Sequence, residues 1–530
     1  MKNYLIKGMS LAMVFALSVT SCTKDLDRSP LYEPNPENVY NDFNNYISVL
    51  AKLYAGFAIS GQQGPSGSAD IGGIDEGFSN YLRQLWKAEE LPTDEAVIAW
   101  NDGTLQEYHK MIWTPNNEFV GAMYDRIFYQ ISQANEFIRQ TSDDKLSSRG
   151  ITGKDADDAK QYRQEARFIR ALCYYHALDL YGNVPFVTES DPVGGPLPKQ
   201  ISRADLFSYI ESELLDISDN IMAAHTNVYG RVDQAAVWSL LAKLYLNAEV
   251  YTGTAKYTEC ITYCNKVISA GYSLEPVYKN LFRTDNNNSN EIIFPINFDG
   301  IHTQGYGGMT FLIHASVGGS MNPVDFGING GWYGLRTTKQ FVSLFPDVTG
   351  VTDQRAAFYT NGQNLDINDL GAFTDGYAIG KYRNVSSSGV AGSDPTGNFP
   401  DTDYPMFRLA DIYLMYAEAV LRDGGGGDRA TALGYINALR DRAFGDASGD
   451  IEDSDLTLPF ILNERGRELY WECTRRTDLI RFGLFTSDSY KWAWKGGVKE
   501  GAAVEDFRNL MPLPNSDLVA NPNLVQNPGY

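Results

Sequence analysis

Asp75-Glu76 and Asp94-Glu95 are adjacent carboxylates, and paired acids are the working parts of glycoside hydrolysis. That reaction needs its two acids on either side of a scissile bond, roughly 5 to 10 Å apart. Sequence neighbours rarely face one another across such a gap. Cys260 and Cys264 stand one helical turn apart, but no His or further Cys lies near enough to complete a tetrahedral metal set, so they read as small buried apolar side chains. Asp285-Asn286-Asn287-Asn288 gathers oxygen atoms without the spacing of a calcium loop and reads as a solvated turn. The sequence has no H-E-x-x-H, G-x-S-x-G, P-loop or dinucleotide fingerprint, and its Gly424 to Gly427 run is a turn between helices rather than a phosphate cradle. Neither catalysis nor a cofactor or metal is expected. The remaining chemistry is binding: residues 280–403 are rich in aromatics and punctuated by Gly307-Gly308, Gly318-Gly319 and Gly330-Gly331. Irregular, Gly-punctuated segments over a rigid scaffold are where binding residues usually reside.

Such loops need a rigid support, and the periodicity supplies one. In 164–187, Phe168, Ile169, Leu172, Cys173, Tyr175, His176 and Leu180 recur at three- and four-residue spacing, giving a wide apolar face, with Gly182 and Pro185 as stop signals. Stretches 230–253 and 407–423 repeat the form, and second amphipathic helices are expected at 203–221, 256–270 and 429–442. Small residues set against aromatics let paired helices approach closely, as in tetratricopeptide-type units. The predicted fold is mainly α: a helix-pair scaffold at 35–60, 118–270 and 407–485, with irregular Gly-rich insertions at 61–117 and 280–403 and little β structure. Helices are read at 35–59, 118–140 and 459–485, and a short strand interrupted by Pro295 at 291–297. In 459–485, five arginines alternate with acids, which points to internal ion pairing rather than an anion site. The Pro- and Asn-rich tail, 510–530, is expected to lie extended over the helices.

At 530 residues and 43% hydrophobic, the chain can bury a large core, read here as one body from residue 22 onward. Its net charge is -22, from 44 basic and 66 acidic residues, which excludes nucleic acid as a partner on electrostatic grounds. Lys2 and Lys7 precede an apolar run from Met9 to Val19, too short to span a bilayer, followed by Val19-Thr20-Ser21-Cys22. Residues 1–21 therefore read as a bacterial lipoprotein signal, with Cys22 the lipidated first residue anchored by multiple acyl chains. The charged leader Thr23 to Asp27 resembles the surface-export signal of Bacteroidetes lipoproteins.

QEARFIRALCYYHALDLYGNVPFV, RLADIYLMYAEA, INALRDRA, ERGRELYWECTRRTDLIRFGLF and the closing LMPLPNSDLVANPNLVQNPGY, taken together and in this order, resemble the SusD/RagB family of Bacteroidetes surface glycan-binding lipoproteins. The likeness runs from the signal to the last residue. DEGFSNYLR (75–83), ELPTDEAVIAW (90–100), DGIHTQGYGGMTF (299–311), NGGWYG (329–334), FTDG (373–376) and YKWAWKGG (490–497) resemble its starch-binding founder. The resemblance implies an all-α tetratricopeptide scaffold with irregular insertions, located at the cell outer membrane, capping a SusC-like TonB-dependent transporter and taking up an α-glucan such as starch or malto-oligosaccharide. It also implies a binding arc of Trp100, Tyr306 and Trp332, with Arg83 as a hydrogen-bonding guanidinium. Two positions depart from the founder: Ile98 stands in place of a further Trp and Gly103 in place of an amide, for which Asn101 or Asp102 can substitute.

Overall fold

The computed structural model describes residues 36–530, so the N-terminal signal and Cys22 lie outside the described residues. The longer helices are α1 (Asn44–Ala58), α2 (Tyr81–Glu90), α3 (Glu118–Gln140), α4 (Gly153–Leu180), α5 (Arg203–Asn220), α6 (Gln234–Leu246), α7 (Tyr257–Ile268), α8 (Gly308–Ala315), α9 (Leu409–Leu421), α10 (Arg429–Phe444), α11 (Leu458–Leu469) and α12 (Arg475–Arg481). Strands β1 (Val97–Ile98), β2 (Val184–Pro185), β3 (Gln200–Ile201), β4 (Ile292–Ile296), β5 (Leu335–Arg336), β6 (Phe358–Tyr359), β7 (Ala378–Ile379) and β8 (Tyr404–Arg408) are short. They pair antiparallel as β1–β5, β2–β3, β4–β8 and β6–β7. The fold is mainly helical, as expected, with helix pairs α4–α5, α6–α7 and α9–α10 packed against each other and α7 also lying on α9.

Helix α4 buries Phe168, Ile169, Leu172, Cys173 and Leu180, each large apolar side chain contributing roughly 1.5 to 3 kcal/mol relative to exposure. It stops where Gly182 takes a φ of +72°, a conformation that costs other residues a Cβ clash. Its first turns run further toward the N-terminus than the apolar pattern, over solvated residues such as Asp155 and Lys160, which need no core to be helical.

Three local expectations are corrected. Residues 35–59 are not one helix: a turn Pro36–Val39 is separated from α1 by irregular backbone at 40–43. Residues 459–485 divide into α11 and α12, because Trp471 and Cys473 adopt positive φ, +63° and +57°. Cys473 therefore lies in a turn, not a helix. The turn is held by acids from the α2 end of the chain: Glu90 accepts from the Cys473 amide at 2.6 Å and Glu95 from the Trp471 amide at 2.9 Å. The tail carries one short helix, Asn515–Ala520, and is otherwise pinned to the end of α4 by Met511 N donating to Leu180 O (2.7 Å) and Asn527 Nδ2 to Tyr181 O (2.7 Å). Pro295 does interrupt its strand, since β4 shifts register against β8 around Phe294 and sets Pro295 opposite Pro405.

Beneath the helix pairs lies a closed network of ions. Arg408 binds Glu291 at 2.8 Å, Glu468 at 2.6 Å and Glu472 at 2.7 Å, and Arg355 binds Asp353 and Glu464, both at 2.7 Å. Arg442 joins it through Glu291 (2.7 Å) and Glu468. The arginines of 459–485 are neutralised as expected, largely by distant partners. Arg475 forks onto Asp94 with two 2.8 Å bonds, Arg465 meets Asp411 at 2.9 Å, and Arg481 meets Glu418 at 2.6 Å. The adjacent acids Asp94 and Glu95 are thus structural, both buried and both engaged.

Candidate functional site

Trp100, more than 200 positions before the other two, comes together in space with Tyr306 and Trp332. The Trp100 and Trp332 ring centroids are 6.4 Å apart at 43°, and those of Trp332 and Tyr306 are 6.2 Å apart at 57°. All three are half-buried, so each presents part of a ring to solvent. The row is a tilted one, turning by roughly half a right angle at each step, rather than a flat wall.

Short backbone pairings place each ring. The β1–β5 pair continues through Ala99 N donating to Gly334 O at 2.8 Å, which brings the residue after β1 beside the residues before β5. The 332–334 segment crosses the end of α8, with Trp332 N donating to His314 O (2.7 Å) and Gly334 N to Ala315 O (2.8 Å). Trp100 is then fixed by its indole Nε1 donating to Trp332 O at 3.0 Å. Gly334 is glycine for a reason of space: a Cβ there would stand 2.8 Å from Trp100 Cζ2. Gly307, after Tyr306, is equally constrained, since its Cβ would stand 2.0 Å from that of Asn80, the residue whose side chain caps α2.

Under the rings lie two cations one helical turn apart on α2. Arg83 is 4% exposed, and its Nη1 donates to Gly77 O (2.7 Å) and Tyr306 O (3.0 Å). Its guanidinium carbon sits 4.2 Å from the Phe78 ring, 4.4 Å from Phe311 and 5.8 Å from Trp100. Lys87 is fully buried, with Nζ 3.9 Å from the Phe119 ring. Neither cation has a carboxylate partner among the described residues. Burial lowers the pKa of both, and for Lys87 the neighbouring guanidinium adds to the effect. Arg83 thus touches the platform through the backbone of Tyr306, and its Nε is left without a partner.

Asn101 and Asp102 are exposed beside Trp100, and no hydrogen bond to either side chain occurs among the described residues. Gly103 has a φ of +44°, and a Cβ there would meet Glu118 Oε1 at 1.8 Å, so the Glu118 carboxylate occupies the space that an amide at 103 would need. Ile98 is 1% exposed and lies in β1 as core, so the row gains no fourth ring there.

Periodicity gave no sign of three further residues. His314 stacks on Trp332 with centroids 4.7 Å apart at 25°, and its ring nitrogens face Gly330 O and Asn398 O at 2.7 and 2.9 Å. Burial pulls its pKa down, against the two carbonyls, which favour the protonated ring. Phe399 extends the row behind Tyr306 at 5.7 Å. Tyr333 is 53% exposed with a φ of +55°, and its ring turns away from the row toward Phe373. The glycines around NGGWYG were the available signal: they mark a loop that must pass close to α8, but not which ring faces which way.

Comparison with known proteins finds relatives of the chain as a whole. A model described as "SusD family" matches residues 330–530, and one described as "Starch-binding associating with outer membrane" matches residues 77–246. The starch-binding protein SusD of Bacteroides thetaiotaomicron is 36% identical over an alignment that covers 100% of both chains. Among solved structures, a SusD superfamily protein from Bacteroides thetaiotaomicron superposes with a TM-score of 0.70 at 21% identity, covering 92% of this chain and 99% of the other. Surface glycan-binding protein A from the same organism, in complex with laminarihexaose, superposes with a TM-score of 0.69 at 19% identity, covering 91% and 99%. With identity at this level sustained over the full length of both sequences, the chain belongs to the SusD family.

Proposed function

We propose that this protein is a surface glycan-binding lipoprotein, not an enzyme, that captures starch or malto-oligosaccharide on Trp100, Tyr306 and Trp332. The observation that carries the reading is the tilted row of rings, stepping 6.4 and 6.2 Å between centroids. Successive glucose units in an α-linked chain turn relative to one another, so a ligand of that curvature lays the apolar face of each unit on a ring set at an angle to the last. A flat, extended β-linked chain would meet only one of them squarely. The rings supply this face with little side-chain entropy to lose. Asn101 and Asp102 supply hydroxyl partners at the rim beside Trp100. Arg83 acts by holding the Tyr306 loop, and its Nη2, rather than the unpartnered but fully buried Nε, is the donor offered to a sugar hydroxyl.

The relative SusD is named for starch binding, and its full-length similarity supports the same ligand class here. The family model's description supports an outer-membrane setting. In that setting Cys22 carries the lipid, the body faces outward, and the bound oligosaccharide passes to a SusC-like TonB-dependent transporter. Affinity electrophoresis in gels containing amylopectin or hydroxyethylcellulose, a soluble β-1,4-glucan, tests the ligand. Retardation by amylopectin alone is expected, and equal retardation by hydroxyethylcellulose would remove the α-glucan assignment. Protease accessibility of intact cells, compared with a Cys22→Ala strain, tests the location; surface exposure is expected to be lost in that strain.

A further inference from the structure

Away from the platform, a cleft of about 260 Å³ opens between the 278–283 turn, β6, and the chain after β7. Five cations line it. Two are neutralised from behind, Lys381 by Glu472 at 2.6 Å and Arg355 by Asp353 and Glu464. The other three, Lys279, Arg283 and Arg383, have no carboxylate within 4.0 Å among the described residues, and no acid lines the cleft. Arg283 reaches only the Ser386 carbonyl, at 3.4 Å, and Arg383 only the carbonyls of Gly380 and Asp325, at 3.4 and 3.3 Å.

In a chain of net charge -22, three convergent cations that form no ion pair, with Asp325 the one carboxylate acting on Arg383 from beyond that distance, are out of keeping with the rest of the molecule. Burial and the two nearby guanidiniums hold the Lys279 ammonium below its usual pKa. An anion would remove that mutual repulsion. The rest of the lining is aromatic. Phe358 and Tyr359 are half-buried, and Phe326 supports the Arg383 guanidinium at 4.5 Å. Three donors beside part-exposed ring faces suit a ligand with both an oxyanion and an apolar face. The volume falls below the roughly 300 Å³ at which drug-sized pockets begin, which is room for one sugar ring rather than an oligomer.

We propose that this cleft is a second carbohydrate site, selective for a single sugar unit bearing a carboxylate, sulfate or phosphate, with Lys279, Arg283 and Arg383 holding the oxyanion and Tyr359 and Phe358 packing on the ring. The site shares no residue with the platform, so it stands or falls separately from the α-glucan reading.

Isothermal titration at low ionic strength tests it, with glucuronate, glucose 6-sulfate and glucose 6-phosphate as probes and glucose, inorganic sulfate and inorganic phosphate as controls. At least one acidic sugar is expected to bind tenfold or more tightly than glucose and than its bare anion. That affinity should fall at least tenfold in Lys279→Gln/Arg383→Gln and stay unchanged in Trp332→Ala. No binding of any acidic sugar, binding of the bare anion as tightly as of the sugar, or affinity that survives the double substitution would each overturn the proposal. Should the double variant fail to fold, Arg283→Gln carries the same test, with at least a threefold loss expected and no loss overturning it.

Discussion

Arg408 in the scaffold is met by Glu291, Glu468 and Glu472, whereas Lys87 beneath the platform is met by the faces of Phe119 and Phe78. Both cations are buried to within 1% of their surface. The scaffold's charges close on one another, and their fixed geometry ties residues more than 100 positions apart into one arrangement. Under the platform, Arg83 Nη1 is held by carbonyls and Arg83 and Lys87 both lie against ring faces, while Arg83 Nε and Lys87 Nζ have no hydrogen-bond partner, so no carboxylate network locks the layer above them. A neutral, hydroxyl-rich ligand needs flat faces and a few free polar groups, and the second arrangement leaves these available where the first does not.

Breaking the scaffold should have the largest effect. Arg408→Met leaves three buried carboxylates short of a partner and is expected to cost about 3 to 5 kcal/mol of stability, read by chemical denaturation. Acid should attack the same network. Burial alone would raise the Glu464 pKa, but Arg355, Arg467 and Arg440 outweigh it and hold it at about 2, below its ordinary 4.5. A depressed folded-state pKa contributes stability above the ordinary value and loses it as pH falls from there toward 2. The denaturation midpoint should therefore decline with acidification below about pH 4.5 in wild type, and less steeply in Glu464→Gln.

Changes in the platform should move binding rather than folding. Gly334→Ala places a methyl against Trp100 Cζ2. The indole must shift, and maltoheptaose affinity is expected to fall severalfold, by about 1 kcal/mol, with the melting temperature nearly unchanged. Lys87→Met sharpens the contrast most, because it repeats the chemistry of Arg408→Met at a cation with no carboxylate partner. Stability should change by less than about 1 kcal/mol, or rise. A loss as large as that of Arg408→Met would mean that Lys87 is held by more than ring faces.

The scaffold was largely legible in the sequence because its signals are local. The α4 face repeats every three to four residues and Gly182 marks its end. The 459–485 stretch misled because its charged pattern continues through Trp471 and Cys473, whose left-handed backbone is set by Glu90 and Glu95 from nearly 400 positions away. Long-range capping of this kind leaves no periodic trace. The platform was legible only through family resemblance, since nothing in the spacing of 100, 306 and 332 shows that β1 pairs with β5. The resemblance brought forward Arg83 as a sugar contact, and only the structure revealed its bond to the Tyr306 carbonyl.

The most direct test of the platform is calorimetric titration of the protein truncated after Cys22 with maltoheptaose and with a linear β-glucan, on wild type and Trp332→Ala. The account predicts binding of maltoheptaose alone and at least a tenfold loss of affinity in the variant, about 1.4 kcal/mol. Equal binding of both glycans, or full affinity without the Trp332 ring, would contradict it.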